Sequence, residues 1–289
     1  MTVPVSTRWR GLLLTAPALA LVAFAGAALL LAARGSIADG LGQGWSLAAY
    51  AGLLQAPDFA DSLLLSLKIA TLSTVASASL ALAVVAVVSG SRRGRAALET
   101  AARATLAVPH LLAAAAFALL LSGSGLVSRL THAAGWTDGP ADFPALVADS
   151  TPSALVLTYV WKEAPFVTIM LLAAHTPAVR DLENAVRTLG AGRLHRLRHV
   201  TLPLLAPALT EACLLVFAFT FAAYEAPALL GATVPRALPV EAVELYRSVE
   251  LADRPAALAL AVVIGTVIAL AALAAAAISR RLLLARNGP

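Results

Sequence analysis

The stretch TLGAGRLHRLRHVTLPLL, residues 188–205, decides how this chain is read. It holds Arg193, Arg196 and Arg198, His195 and His199, a Gly190-Ala191-Gly192 turn, and Pro203 where apolar sequence resumes. On both sides the chain is almost wholly lipid-soluble. Of 289 residues, 60% are hydrophobic and 13% charged, against about 25% charged in an ordinary soluble domain. A surface so poor in charge cannot face water all round, and the composition indicates an integral membrane protein.

Six apolar stretches, about 11–33, 62–88, 104–121, 153–174, 204–230 and 256–278, reach the ~18 residues a helix needs to cross a membrane. Their alanine, leucine and valine runs lack the alternation of a β-barrel strand, and backbone groups in lipid must then be satisfied within helices. The expected fold is all-α: a polytopic membrane protein whose residues 1–289 form one transmembrane domain. Six membrane helices carry a two-helix cytoplasmic loop between the fourth and fifth. The first stretch follows Arg8 and Arg10 and exceeds a signal-peptide core of ~7–15 residues, so it reads as an anchor. Cys213 is the sole cysteine, which excludes an internal disulfide.

Alternating the intervening segments places fourteen arginines on one side: Arg8, Arg10, Arg92, Arg93, Arg95, Arg103, Arg180, Arg187, Arg193, Arg196, Arg198, Arg280, Arg281 and Arg286. The other side has five, Arg34, Arg129, Arg236, Arg247 and Arg254. Basic residues in short loops mark the cytoplasm, so both termini are expected inside. Asp39, Asp58, Asp61, Asp138, Asp142, Asp149, Glu241, Glu244, Glu250 and Asp253 gather on the opposite side. The formal charge of +5 is mostly the inner arginine excess facing anionic lipid, and calls for no nucleic acid.

Residues 175–203 are far longer than the ~2–8 residues a helix connection needs. Thr176-Pro177 reads as a helix cap and first turn. Val179, Leu182, Val186 and Leu189 then form one apolar stripe. Gly190 stands where a helix closes in the left-handed conformation. Leu194, Leu197 and Val200 make a second stripe, and Leu202-Pro203 is the expected start of the fifth membrane helix. By residue pattern alone, two short helices about a glycine elbow serve equally as a hairpin lying on lipid or as a docking element.

The segment DLENAVRTLGAGRLHRLRHVTLPLLAPAL, 181–209, resembles the EAA loop of the membrane subunits of binding-protein-dependent ABC importers. That pattern runs Glu-Ala-Ala, three residues, Gly, nine residues, an aliphatic, one residue, Leu-Pro. Gly190, Val200, Leu202 and Pro203 match it, and the triplet falls on Asn184, Ala185 and Val186. Glu183 lies one position before the missing glutamate, about 100° around the helix. The segments at 44–85, YVWKEAPFVTIMLLAA (159–174) and YEAPALLGATVPRALPVEAVELY (224–246) resemble permeases of the polyamine, iron and sulfate branches, most closely the spermidine/putrescine one. The resemblance implies a bacterial inner-membrane permease without a cofactor, with polyamine as the first cargo to consider. Its implied partners are a dimer of ATP-binding subunits, a second permease subunit (paralogue or self), and an extracytoplasmic substrate-binding protein. It also assigns ATPase coupling to Glu183, Asn184, Ala185, Gly190, Leu202 and Pro203.

Charges within the apolar stretches are costly, roughly 2.5–3.5 kcal/mol at a helix centre. Lys68 lies near enough to an end to snorkel, and Glu211 suits an interhelical pair. Lys162 and Glu163, just before Pro165, are candidates for a pathway or gate. Phe217, Phe221, Tyr224 and Glu225 are expected as neighbours on one helix, serving either as packing with an interfacial aromatic belt or as a gate for a cationic substrate. The five histidines show no metal spacing. No phosphate-binding loop and no nucleophile constellation occurs, so the chain itself reads as no enzyme. A gradient-driven secondary transporter is the alternative reading, although no internal repeat of that class stands out.

Overall fold

The computed structural model describes residues 6–38, 44–88, 91–148 and 151–286. Asp39 and Asp149, counted above, lie outside the described residues, as do the side chains of Arg8, Arg10 and Arg286. In chain order the helices are α1 (Ser6–Ser36), α2 (Ala48–Gln55), α3 (Phe59–Val88), α4 (Arg92–Leu106), α5 (His110–Leu121), α6 (Leu126–Ala133) and α7 (Ser153–Ala174). There follow α8 (Pro177–Thr188), α9 (Arg193–Arg196), a π-turn (Leu197–Thr201), α10 (Leu202–Ala222), α11 (Glu225–Leu230), α12 (Leu238–Arg247), a 3₁₀ turn (Leu251–Asp253) and α13 (Arg254–Arg286). Six spans among the described residues are long and apolar enough to cross a membrane: Thr15–Ser36, Phe59–Val88, His110–Ala133, Ser153–Ala174, Arg193–Ala222 and Leu251–Leu282. The all-α, six-span reading of the sequence holds.

Packing divides the chain into two units. The smaller, Met1–Ala56 with Glu241–Val263, contains α1, α2 and the start of α13. There Ser36 closes the end of α1: its hydroxyl donates to Ala33 O at 2.7 Å and lies 2.7 Å from the Tyr50 hydroxyl. Leu21, Val22, Phe24 and Leu30 of α1 stay exposed, as suits a helix facing lipid.

The larger unit, Pro57–Val240 with Ile264–Pro289, is organised around α3, α7 and α10. The buried face of α3 carries Ser62, Ser66, Ala70, Ser73, Ser77 and Ala81, spaced three or four apart. Small residues on such a stripe let helix backbones approach closely where lipid removes the hydrophobic drive between helices. One core cluster joins Ala81 and Val85 of α3 to Val167 and Leu171 of α7 and Leu205, Ala212 and Val216 of α10. A second joins Leu65 and Ile69 to Ala114, Tyr159, Leu230 and Val240. Between the ends of this second cluster, Ser66 Oγ donates to Ser62 O and accepts from Leu238 N, both at 2.9 Å.

Two expected helices are broken, each at a proline. The stretch 104–121 is divided, α4 ending at Leu106 and α5 starting at His110. Pro109 has no N–H to give, and its ring would meet the carbonyl four residues back, at Thr105. Likewise 204–230 stops at Ala222, with Ala223 extended at ψ 133°, four residues before Pro227. Leu202-Pro203 opens α10 as expected, but α9 and the π-turn lead into it, so the helical path continues back to Arg193. The π-turn just before Pro203 widens the helix where the proline ring would otherwise strike the His199 carbonyl.

Ser66→Ala leaves the Leu238 amide, buried with its residue, without an acceptor, a penalty of about 1–3 kcal/mol. Its expected effect is a lower thermal unfolding midpoint in detergent, whereas Ser79→Ala on the exposed face of α3 leaves the midpoint in place.

Candidate functional site

The arm between α7 and α10 is built as the glycine elbow demands. Pro177 occupies the first turn of α8, where its missing N–H costs nothing. At the other end Gly190 adopts φ +88°, Ala191 N donates to Val186 O at 3.2 Å and Gly190 N to Arg187 O at 3.0 Å. This is the Schellman closure, whose left-handed residue favours glycine for want of a β-carbon. The chain then turns through Gly192 straight into α9.

Glu183 points inward and ties the arm together. Its Oε1 lies 3.1 Å from His175 Nε2, at the carboxyl end of α7, and also accepts from the Thr201 hydroxyl in the π-turn. His175 is fully buried and Glu183 largely so. Arg95, from α4, donates to Leu172 O at 2.5 Å and His175 O at 3.2 Å, satisfying carbonyls that the end of α7 leaves open. It also pairs with Glu99 one turn on, at 3.1 Å. Asn184 and Ala185, the positions matching the triplet, are exposed. So are Leu182 (51%), Leu189 (85%) and Leu194 (77%), an apolar rim projecting from an otherwise arginine-rich arm. A cleft of about 720 Å³ opens between α8, α9 and the end of α3, lined by Arg180, Arg187, Arg193 and Arg196 and floored by Ala86 and Val87. Leu202 and Pro203 lie in the continuous helix above it.

Lys162 and Glu163 sit near the middle of the 22-residue α7. Lys162 Nζ donates to Val108 O at 2.5 Å, Thr105 O at 3.1 Å and Leu106 O at 3.4 Å, the carbonyls freed where α4 ends. A cation at that end also meets the negative pole of the helix dipole. Glu163 Oε1 lies 3.0 Å from His110 Nε2 at the start of α5, and the His110 ring rests 4.6 Å from that of Phe219. Phe217 and Phe221 stack at 5.7 Å with planes 7° apart. Tyr224 does not continue that stripe, because the helix has already ended at Ala222. Glu225 opens α11, exposed, where a carboxylate favours the helix N-terminus. Lys68 and Glu211 are both exposed.

Sequence reasoning missed Arg95, His175, Thr201 and His110 as partners. A buried lysine and glutamate signalled that partners must exist; which loops fold onto them is a tertiary matter that spacing does not carry.

Six membrane spans with a glycine-closed arm ahead of the fifth are the frame on which the comparisons bear. Residues 70–284 match the family of binding-protein-dependent transport system inner membrane components, and the chain belongs to it. It is similar to the molybdenum transport system permease protein ModB of Mycobacterium bovis, 31% identical over 226 residues, covering 76% of this chain and 80% of ModB. It is also similar to the trehalose/maltose transport system permease protein MalF of Thermococcus litoralis, 29% identical over 172 residues, covering 57% of this chain but only 56% of MalF. In fold it resembles a bacterial alginate ABC transporter solved with an alginate pentasaccharide-bound periplasmic protein. The TM-score is 0.74 at 19% identity, over 94% of this chain and 96% of that one. These relatives are named for sugars, molybdenum or alginate, and lend no support to the spermidine/putrescine branch expected from the sequence. Membership of the importer family sets aside the gradient-driven alternative.

Glu183→Ala removes the acceptor shared by His175 and Thr201, and the arm loosens. Limited trypsin digestion of the detergent-purified chain then cuts after Arg187 and Arg193 several-fold faster, while Asn184→Ala, on the exposed face, cuts at the original rate.

Proposed function

We propose that this chain is the transmembrane permease of an ATP-driven importer, and that residues 176–201 are the handle by which an ATP-binding subunit moves it. What supports the reading is the braced arm: a short amphipathic helix, closed at Gly190 and locked by Glu183, that presents Leu182 and Leu189 as exposed side chains. A floppy loop would dissipate a stroke; an arm tied to both α7 and the following helix passes it on. Two ATP-binding subunits, a second permease subunit (a paralogue or another copy of this chain) and an external substrate-binding protein complete the proposed assembly. Both termini lie in the cytoplasm on this reading, with the arm and its arginines. The chain is then half of a conduit, and cargo selection rests largely with the external protein. Lys162, Glu163, Phe217, Phe221, Tyr224 and Glu225 are proposed to border or support the path.

Leu189→Asp puts a carboxylate into the apolar contact and is expected to reduce co-purification of the ATP-binding subunit about tenfold, equivalent to ~1.4 kcal/mol. Leu194→Asp has the same direction. Retention of the subunit at the original level in both variants, with the permease still monodisperse, refutes the docking surface.

A further inference from the structure

The two cation contacts described above are reciprocal. Arg95, near the start of α4, caps carbonyls at the end of α7; Lys162, midway along α7, caps carbonyls at the end of α4. The helices therefore run antiparallel, each lending a positive charge to the other's negative pole. Ten residues separate Arg95 from Thr105 and ten separate Lys162 from Leu172, so each helix runs about 15 Å between the two attachments. A single attachment would act as a pivot. Two at that separation, with the α4 and α7 surfaces packed between them, suppress both sliding and rotation.

We infer that this double clamp makes α4 and α7 one rigid body, and that Lys162 is a positioning residue which carries displacement of the arm to the break at Pro109. The inference rests on the ATP-driven reading above. The route through the protein is continuous. Glu183 holds α8 against His175, Arg95 grips the same turn of α7, α4 runs back to Leu106, and Lys162 holds that end beside Glu163 and His110. The chain then passes through Pro109 into α5, with no helical hydrogen bond from the proline nitrogen to stiffen the junction. Motion reaching α4 is thus expected to be spent at 107–109. The exchange ties the fixed end of the arm to the break that leads into α5.

The test is hydrogen–deuterium exchange of the purified assembly with its ATP-binding subunit, with and without MgATP and vanadate. Two peptides are followed, one from the arm (about 177–200) and one across the break (about 104–113). In the unaltered protein both change with nucleotide. In Lys162→Met the arm keeps its response while the nucleotide-dependent change across the break falls at least about threefold, and Lys162→Arg restores it. A merely structural cap predicts otherwise: faster exchange across the break in both states, with the nucleotide-dependent difference intact. That result overturns the inference. An arm that never responds to nucleotide in the unaltered protein overturns the ATP-driven reading itself. Should Lys162→Met fail to assemble, Arg95→Gln severs the other attachment at a partly exposed residue and is judged by the same loss or survival of the difference.

Discussion

Inside a bilayer every charge and every open backbone carbonyl must find its partner within the protein, and the larger unit is built by setting these two demands against each other. The amino group of Lys162 is buried, and α4 ends at Leu106 with carbonyls that its own helical amides do not reach. Brought together, each removes the other's desolvation penalty. Arg95 repeats the solution at the end of α7. On the serine stripe of α3, Ser66 bonds back to Ser62 O, while the Ser73 and Ser77 hydroxyls are buried without such a bond, and the small side chains serve close helix approach.

Much of this was legible in the residues. Length and apolarity mark six crossings, and the left-handed closure of α8 follows from Gly190 standing after the last apolar residue of its stripe. The breaks were less legible. Pro109 and Pro227 each lie within an apolar run that a hydropathy reading joins, and Pro165 lies in an identical setting yet leaves α7 unbroken. At Pro109 the carbonyl behind the proline, Thr105 O, is taken up by Lys162 of another helix, a tertiary partner that spacing does not reveal. At Pro203 the helix's own widened turn accommodates the ring. The pathway aromatics show the limit too: Tyr224 falls off the stripe of Phe217 and Phe221 because the helix beneath it stops two residues earlier.

The arm also accounts for its own departure from the family pattern. An offset of about 100° between Glu183 and Asn184 takes the carboxylate away from the exposed triplet face and aims it at His175 and Thr201. The acid is employed in holding the arm's shape. Asn184 and Ala185 are left as a neutral exterior beside Leu182, a surface suited to apolar contact. On the docking reading proposed above, the surrounding arginines would govern orientation and the exposed leucines adhesion.

The helix that runs unbroken from Arg193 to Ala222 has a geometrical corollary. Thirty residues at 1.5 Å each give a rod of about 45 Å, and swinging such a rod by ~10° about its midpoint sweeps each tip through roughly 4 Å. One tip is in the arm beside Leu194; the other lies next to the Phe217–Phe221 stack and the turn into Glu225. On the ATP-driven reading proposed above, such a rod reverses direction across its fulcrum like an oar in its rowlock, so an inward pull at the arm is an outward sweep at the aromatic end.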